Sequence, residues 1–223
     1  MAAVASAAPL PSFLPSPAAY APASAAPLPP FAPSPAAYAL ASSLAPLAVD
    51  GAAGGGQVLR SAVALAAVTG RAVRVSRIRA GRPKPGLQAQ HLCAVRALAD
   101  LTGARLEGAA IGATELLFEP APPAARSGAP ALLGRAHAPI DVGSAGSATL
   151  VLQTLLPSLL AAPLPSSGGS GGGGSWLETS VTVVGGTANP FAPPAAFFVE
   201  TFLPALNEAL RCAAAARGVL VTV

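Results

Sequence analysis

The 223 residues include 25 prolines and 23 glycines, and 52% are hydrophobic while only 10% are charged. About 25% charge is usual for globular chains, so this chain is either unusually apolar or partly non-globular, with room for one good-sized domain plus tails. A net charge of +4 is modest, two cysteines exclude a disulfide framework, and no uninterrupted apolar run is long enough for a membrane-spanning helix.

Residues 1–45 read as a low-complexity, disordered leader. The run Ala8-Pro9-Leu10-Pro11 recurs as Ala26-Pro27-Leu28-Pro29, and Pro15-Ser16-Pro17-Ala18-Ala19-Tyr20 recurs as Pro33-Ser34-Pro35-Ala36-Ala37-Tyr38. Proline at that density opposes helix and sheet alike. The leader has no arginine, unlike an organelle transit peptide, and no positive start, unlike a secretory signal. A nuclear or cytoplasmic location is therefore expected.

From residue 46 to 223 the pattern is domain-like. Residues 47–49 predict a strand ending at Asp50, and 57–69 a helix stopped by Gly70. Residues 72–78 alternate as a strand, and 87–101 carry Leu92, Val95, Leu98 and Leu101 at helical spacing. Strands are expected at 105–111, 115–118 and 137–142, and a helix at 148–160, bent near Pro157. A Gly/Ser-rich loop occupies 165–175. A strand at 176–184 and a helix at 197–217 follow, and the strand-like run 219–223 predicts that the layers continue. Alternating short strands and helices give an α/β (α+β) fold class.

The chemistry-bearing residues cluster early. Arg60, Arg71, Arg74, Arg77, Arg79, Arg82 and Lys84 follow one another without an acid, a density that attracts phosphate or forms a solvated basic edge. Gly54-Gly55-Gly56 and Gly143-Ser144-Ala145-Gly146-Ser147 each precede a predicted helix, where exposed N–H groups receive anions. Neither cluster is a Walker loop, because the Gly-Lys-Ser/Thr ending is missing from both. In Arg79-Ala80-Gly81-Arg82-Pro83-Lys84-Pro85-Gly86 two prolines stiffen a strand-to-helix loop whose cations suit phosphate oxygens. Aromatic residues are too sparse for a base-stacking platform, which favours recognition of an end over broad coating. Cys93 reads as a buried small side chain and His137 as structural.

Taken together these runs resemble the RNA 3′-terminal phosphate cyclases. Asp50-Gly51 with Gly54-Gly55-Gly56-Gln57-Val58-Leu59-Arg60-Ser61 is similar to the family's opening motif. Ile78 to Leu87 with Gln90-His91-Leu92 is similar to its second signature. The 143–147 cluster with Leu152-Gln153-Thr154, then Gly185-Gly186-Thr187, Ala192-Pro193-Pro194 and Phe202-Leu203-Pro204, continue collinearly over about residues 46–210. The resemblance implies repeated βαβαββ-type units. It implies an ATP-dependent conversion of an RNA 3′-phosphate to a 2′,3′-cyclic phosphate through enzyme-AMP and RNA-adenylate intermediates, aided by Mg²⁺ or Mn²⁺. Gln57, Gln153 and Pro193 are then expected near the nucleotide, and Arg60, Arg79, Arg82, Gln90 and His91 near RNA phosphate. The partner implied is an RNA 3′-phosphate end rather than DNA or a membrane.

The chain also departs from the family. It lacks a segment matching the one with the nucleophilic histidine, so the expectation is a truncated version whose reaction is not completed by this chain. The glutamate that precedes the family's glycine triplet is missing too, and no metal ligand is assigned. The alternatives are a non-catalytic relative in ribosomal RNA processing, or a nonfunctional truncated product.

Overall fold

The computed structural model describes residues 34–121, 138–161 and 179–213. The repeat up to residue 33, His137, the 165–175 loop, Trp176 and the run at 219–223 lie outside the described residues. Regular structure begins inside the region expected to be disordered to residue 45. Helix α1 (Pro35–Ser43) forms because Ser34 Oγ accepts from the Ala37 N–H at 3.2 Å, Pro35 occupies the first turn, and no proline interrupts 36–43.

The main sheet contains β1 (Leu47–Asp50), β2 (Val73–Ser76), β3 (Arg105–Glu107) and β4 (Leu116–Glu119) in the order β1-β2-β4-β3. The β1–β2 pair is parallel and the other two are antiparallel. A parallel pair needs a crossover, and α2 (Gly56–Thr69) supplies it. With α3 (Ala89–Thr102) preceding β3, the segment is one complete βαβαββ unit. Both helices end on a left-handed glycine, Gly70 and Gly103, whose N–H returns to Ala66 O and Ala99 O.

One face of this sheet holds the core. Val73 opposes Phe118 and Val75 opposes Leu116, and all four are buried with Leu59 and Val63 of α2 and Val95 and Leu98 of α3. Full burial of each such side chain stabilises by roughly 1.5–3 kcal/mol. The other face carries Arg74 opposite Leu117, and Arg105 bonded to Glu107 and, at 2.6 Å, to Glu119.

A second unit follows as β5 (Ile140–Asp141), α4 (Ala148–Ala161) and the parallel strand β6 (Val183–Val184). Next come α5 (Ala195–Phe197), a π-helical turn over Phe198–Phe202, and α6 (Leu203–Ala213). Helix α4 packs on both α2 and α3 and runs through Pro157. Among the described residues no helix is long and apolar enough to cross a membrane.

Several elements are shorter than their sequence pattern. The strand expected over 72–78 stops at Ser76 because Arg77 and Arg79 turn left-handed, at φ 50° and 55°. The one expected over 105–111 stops at Glu107, before the Gly108 turn at φ 76°. The strand expected over 137–142 is confined to Ile140–Asp141, before Gly143 at φ 66°. The helix expected from 197 instead begins at Ala195 and passes through the π turn.

The basic loop between β2 and α3 is lashed to the β3–β4 connection. Ile78 N–H donates to Thr114 O at 2.9 Å, Leu87 N–H to Ala113 O at 3.0 Å, and Gly112 N–H to Leu87 O at 2.8 Å. The chains cross at Gly86, φ 74°, where a Cβ would press into the Gly112 carbonyl. Gly112 has a similar φ of 78° but nothing within 4 Å of its own Cβ position. The left-handed backbone alone costs alanine about 1 kcal/mol, and a core clash adds about 1–3 kcal/mol. Denaturant titration should therefore show Gly112→Ala losing about 1 kcal/mol and Gly86→Ala about 3 kcal/mol. Equal losses would mean that the crossing is loose.

Candidate functional site

The first turn of α3 organises the site. The Gln88 N–H donates to His91 Nδ1 at 3.2 Å, and the Gln88 side chain accepts from the His91 N–H. This reciprocal cap fixes the tautomer, because a neutral ring that accepts at Nδ1 carries its proton on Nε2. Nε2 faces the start of α2. A Cβ on Gly56 would fall 2.6 Å from His91 Cδ2, nearer still to Nε2, and 2.8 Å from Arg60 Nη1. One residue earlier, a Cβ on Gly55 would lie 3.0 Å from Arg82 Nη2. At Gly56, against the capped imidazole, only glycine allows so close an approach, whereas at Gly55 the exposed tip of Arg82 can shift aside.

Gln90 reaches the opposite way, its Oε1 accepting from the Ser147 N–H at 2.9 Å at the start of α4. The first turn of α3 thus bonds the start of α4 and lies against the start of α2. Beside it lies a cleft of about 400 Å³ lined by Arg79, Gln88, Ala89, Gln90, His91, Ser144 and Gly146. A larger groove of about 530 Å³ follows the other flank of α3. Its lining includes Asp100 and Asp141 and suits phosphate less well.

The two glycine loops, expected to act alike, do not. At the start of α4 the Gly143 N–H donates to Asp141 Oδ1 at 2.7 Å and the Gly146 N–H to Ser144 Oγ at 3.2 Å. The Leu150 N–H donates to Ser147 Oγ at 3.3 Å. Those donors are already engaged. At the start of α2, Gly55 provides no side-chain cap, so the first-turn N–H groups lack a side-chain acceptor, and Arg60, Arg82 and His91 lie beside this helix end.

The electrostatics agree. Burial, then the charges of Arg79 and Arg60, holds the His91 imidazole down at about 4. Burial lowers Arg60, and burial followed by Arg82 lowers Arg79. Each shift has the sign expected where cations crowd without a carboxylate. Arg77 stands apart because it pairs with Asp50. The Ala52 N–H, at 2.9 Å, and then Arg77 hold that carboxyl below its usual range.

Of the expected site residues, Arg79, Gln90 and His91 line the cleft, and Arg60 and Arg82 lie beside Gly56 and Gly55 at the start of α2. Arg79 also has a structural duty, since its Nη1 donates to Lys84 O at 2.5 Å and Gly86 O at 3.0 Å. Gln57 is exposed on the first turn of α2 and Gln153 is half-buried within α4; neither lines the cleft. Pro193 O accepts from Thr149 Oγ1 at 2.7 Å, which fastens its loop to α4. Gln88 was missed by the sequence reading, although its place three residues before His91 is the spacing of a reciprocal cap. Cys93 is half-buried, and burial, then Asp141, raises its thiol pKa, which agrees with an unreactive side chain.

Hard divalent cations prefer oxygen ligands, chiefly carboxylates. Among the described residues no three His, Cys, Asp or Glu side chains are grouped to hold a metal. The cleft lining contains no carboxylate, so it does not fit a protein-held Mg²⁺ or Mn²⁺.

The family model described as RNA 3′-terminal phosphate cyclase matches residues 52–219. A protein of Pseudomonas fluorescens with the same name is 48% identical over 160 residues, covering 72% of this chain and 40% of that protein. A second, from Archaeoglobus fulgidus, is 43% identical over 155 residues, covering 70% and 40%. A third, from Ralstonia nicotianae, is 43% identical over 160 residues, covering 71% and 40%. The chain spans about 40% of the length of these curated relatives.

Folding lowers the His91 pKa from 6.5 to about 4. Between those values the unfolded chain binds a proton that the folded chain excludes, so stability falls as the pH drops through this window. Unfolding free energies of the parent chain and of His91→Gln, followed from pH 7 to pH 4, isolate the effect. The parent should lose up to roughly 3 kcal/mol more than the variant. Equal pH slopes would show that the fold accepts a protonated imidazole.

Proposed function

The chain belongs to the RNA 3′-terminal phosphate cyclase family, and we propose that it supplies the phosphate-holding part of an ATP-dependent cyclisation of RNA 3′ ends. One observation carries the reading. The half-buried Arg60 guanidinium meets no carboxylate among the described residues and lies with His91 at the uncapped start of α2. Uncompensated positive charge around open N–H groups is complementary to a phosphate.

In the proposed reaction ATP provides an adenylyl group, releasing pyrophosphate, and the group passes by way of an enzyme histidine to the terminal 3′-phosphate. The neighbouring 2′-oxygen then attacks that phosphorus, loses its proton and displaces AMP, closing the 2′,3′-cyclic phosphate. Arg60 and the start of α2 neutralise phosphate charge. His91 offers its Nε2–H as a neutral donor. It is a poor candidate for the adenylyl acceptor, since Nδ1 already accepts from Gln88 and burial depresses its basicity. Arg82 is exposed at the rim and suits the RNA backbone. Gln57 on the open turn, with Gln153 and Pro193, keeps a proposed place toward the nucleotide.

Arg60→Gln removes the unpaired cation. A charge-assisted hydrogen bond contributes roughly 1.5–3 kcal/mol, so affinity for ATP or 3′-phosphorylated RNA should fall about ten- to a hundredfold. The unfolding midpoint should hold or rise, because a desolvated charge disappears. Weaker folding with unchanged binding would make Arg60 structural and sink the reading. Conversion of end-labelled RNA 3′-phosphate in the presence of ATP and Mg²⁺ tests the reaction itself. Covalent label from α-labelled ATP that is lost in His91→Ala would contradict the role given to His91.

A further inference from the structure

The 189–193 turn is held in place at a visible cost. Asn189 donates through Nδ2 to Ala145 O, while its Oδ1 is buried without a hydrogen-bond partner. The Ala192 N–H closes the turn on Asn189 O at 3.2 Å, and Pro193 O is fixed by Thr149. At the apex Phe191 has a left-handed backbone, φ 63°, a conformation that a bulky residue adopts only when its surroundings impose it. Its ring is nonetheless fully exposed, with relative exposure of 104%. Core packing therefore does not explain why a phenylalanine is held there.

Location and charge suggest what the ring meets. Ala145, which anchors the turn, lies between Ser144 and Gly146, two lining residues of the anion cleft. From residue 185 to residue 199 the chain has no charged side chain, so this rim is neutral beside a cationic cleft. A nucleotide has the same division, a charged phosphate a few bonds from a flat, uncharged base. We infer that Phe191 is a stacking platform for the nucleobase attached to the phosphate that the cleft holds; the inference rests on the phosphate reading above. Pro190, Pro193 and Pro194 stiffen the turn, which lowers the entropy lost when a base settles on the ring. The base belongs either to ATP or to the RNA end, two sources of one chemistry.

Phe191→Gly tests this directly, because glycine accepts φ 63° without strain and the fold should hold. The probes are tripolyphosphate, ATP and a 3′-phosphorylated oligoribonucleotide, titrated against the whole chain by calorimetry. The variant should bind tripolyphosphate as the parent does and lose about five- to a hundredfold in affinity for a base-bearing probe. Phe191→Tyr should restore it. Loss for ATP alone assigns the base to the nucleotide, and loss for the oligoribonucleotide alone assigns it to the RNA end. Unchanged affinity for both, with tripolyphosphate still bound, overturns the stacking role and leaves the phosphate reading intact. If the parent binds no probe, both fall. If Phe191→Gly instead abolishes self-association while nucleotide affinity stays put, the ring is an interface residue and the inference is wrong.

Discussion

Everything that meets at the cleft does so through the reciprocal cap at the start of α3. A helix beginning leaves several N–H groups without partners, and Gln88 and His91 satisfy two of them with each other. The imidazole is oriented by a backbone donor, the Gln88 N–H, while the Gln88 side chain closes the other half of the cap. Because Nδ1 is occupied, Nε2 is the free end of the ring and is aimed at Gly56. Gln90, one residue earlier, turns to α4. One turn of helix thereby sets α2 and α4 at fixed places relative to each other. The lashing of the preceding loop to the β3–β4 connection keeps that turn from rotating.

This geometry determines the electrostatics. Three guanidinium groups and an imidazole share a small volume, and the aspartates that end β1 and β5, just before the two glycine loops, are engaged elsewhere. Asp50 pairs with Arg77 and receives the Ala52 N–H; Asp141 accepts from Gly143. Such a cluster opposes folding by desolvation and mutual repulsion. An anion bound there would relieve the repulsion, and its binding would then be coupled to fold stability. The neutral state of His91 follows from the same crowding: an additional positive charge there would face Arg79 and Arg60.

Much of the scaffold was legible in the sequence because apolar periodicity survives in α2, α3, β2 and β4, and because Gly70 and Gly103 mark helix ends. Strand ends were less legible. Arg77 and Arg79 adopt left-handed backbones that their residue type disfavours, so no local signal stops β2 at Ser76. The helix at 35–43 was hidden by the proline density of the surrounding leader, although Ser34-Pro35 is a sound helix beginning. The basic loop announced its cations, but not that Arg79 holds the loop's own carbonyls. Nor did sequence tell which motif residues share one wall: Arg79, Gln90 and His91 line the cleft, while Arg60, Arg82, Gln57 and Gln153 lie outside its lining.

The two glycine loops show how similar local sequences take different duties. Each follows a strand and opens a helix that crosses to a parallel strand. The second is rich in short side-chain acceptors, and Asp141, Ser144 and Ser147 take its N–H groups at once. Gln90 takes one more from outside. A loop so saturated is rigid and has few donors to offer, which suits it to carry the 189–193 turn through Ala145 and Thr149. The first loop, Gly54-Gly55-Gly56, has no side chain to bond its own N–H groups. It is left open to an external acceptor, and its lack of Cβ atoms is also what admits Arg60, Arg82 and His91. Removing the side chains from this loop therefore achieves two things together: it frees the donors and brings the cations to them.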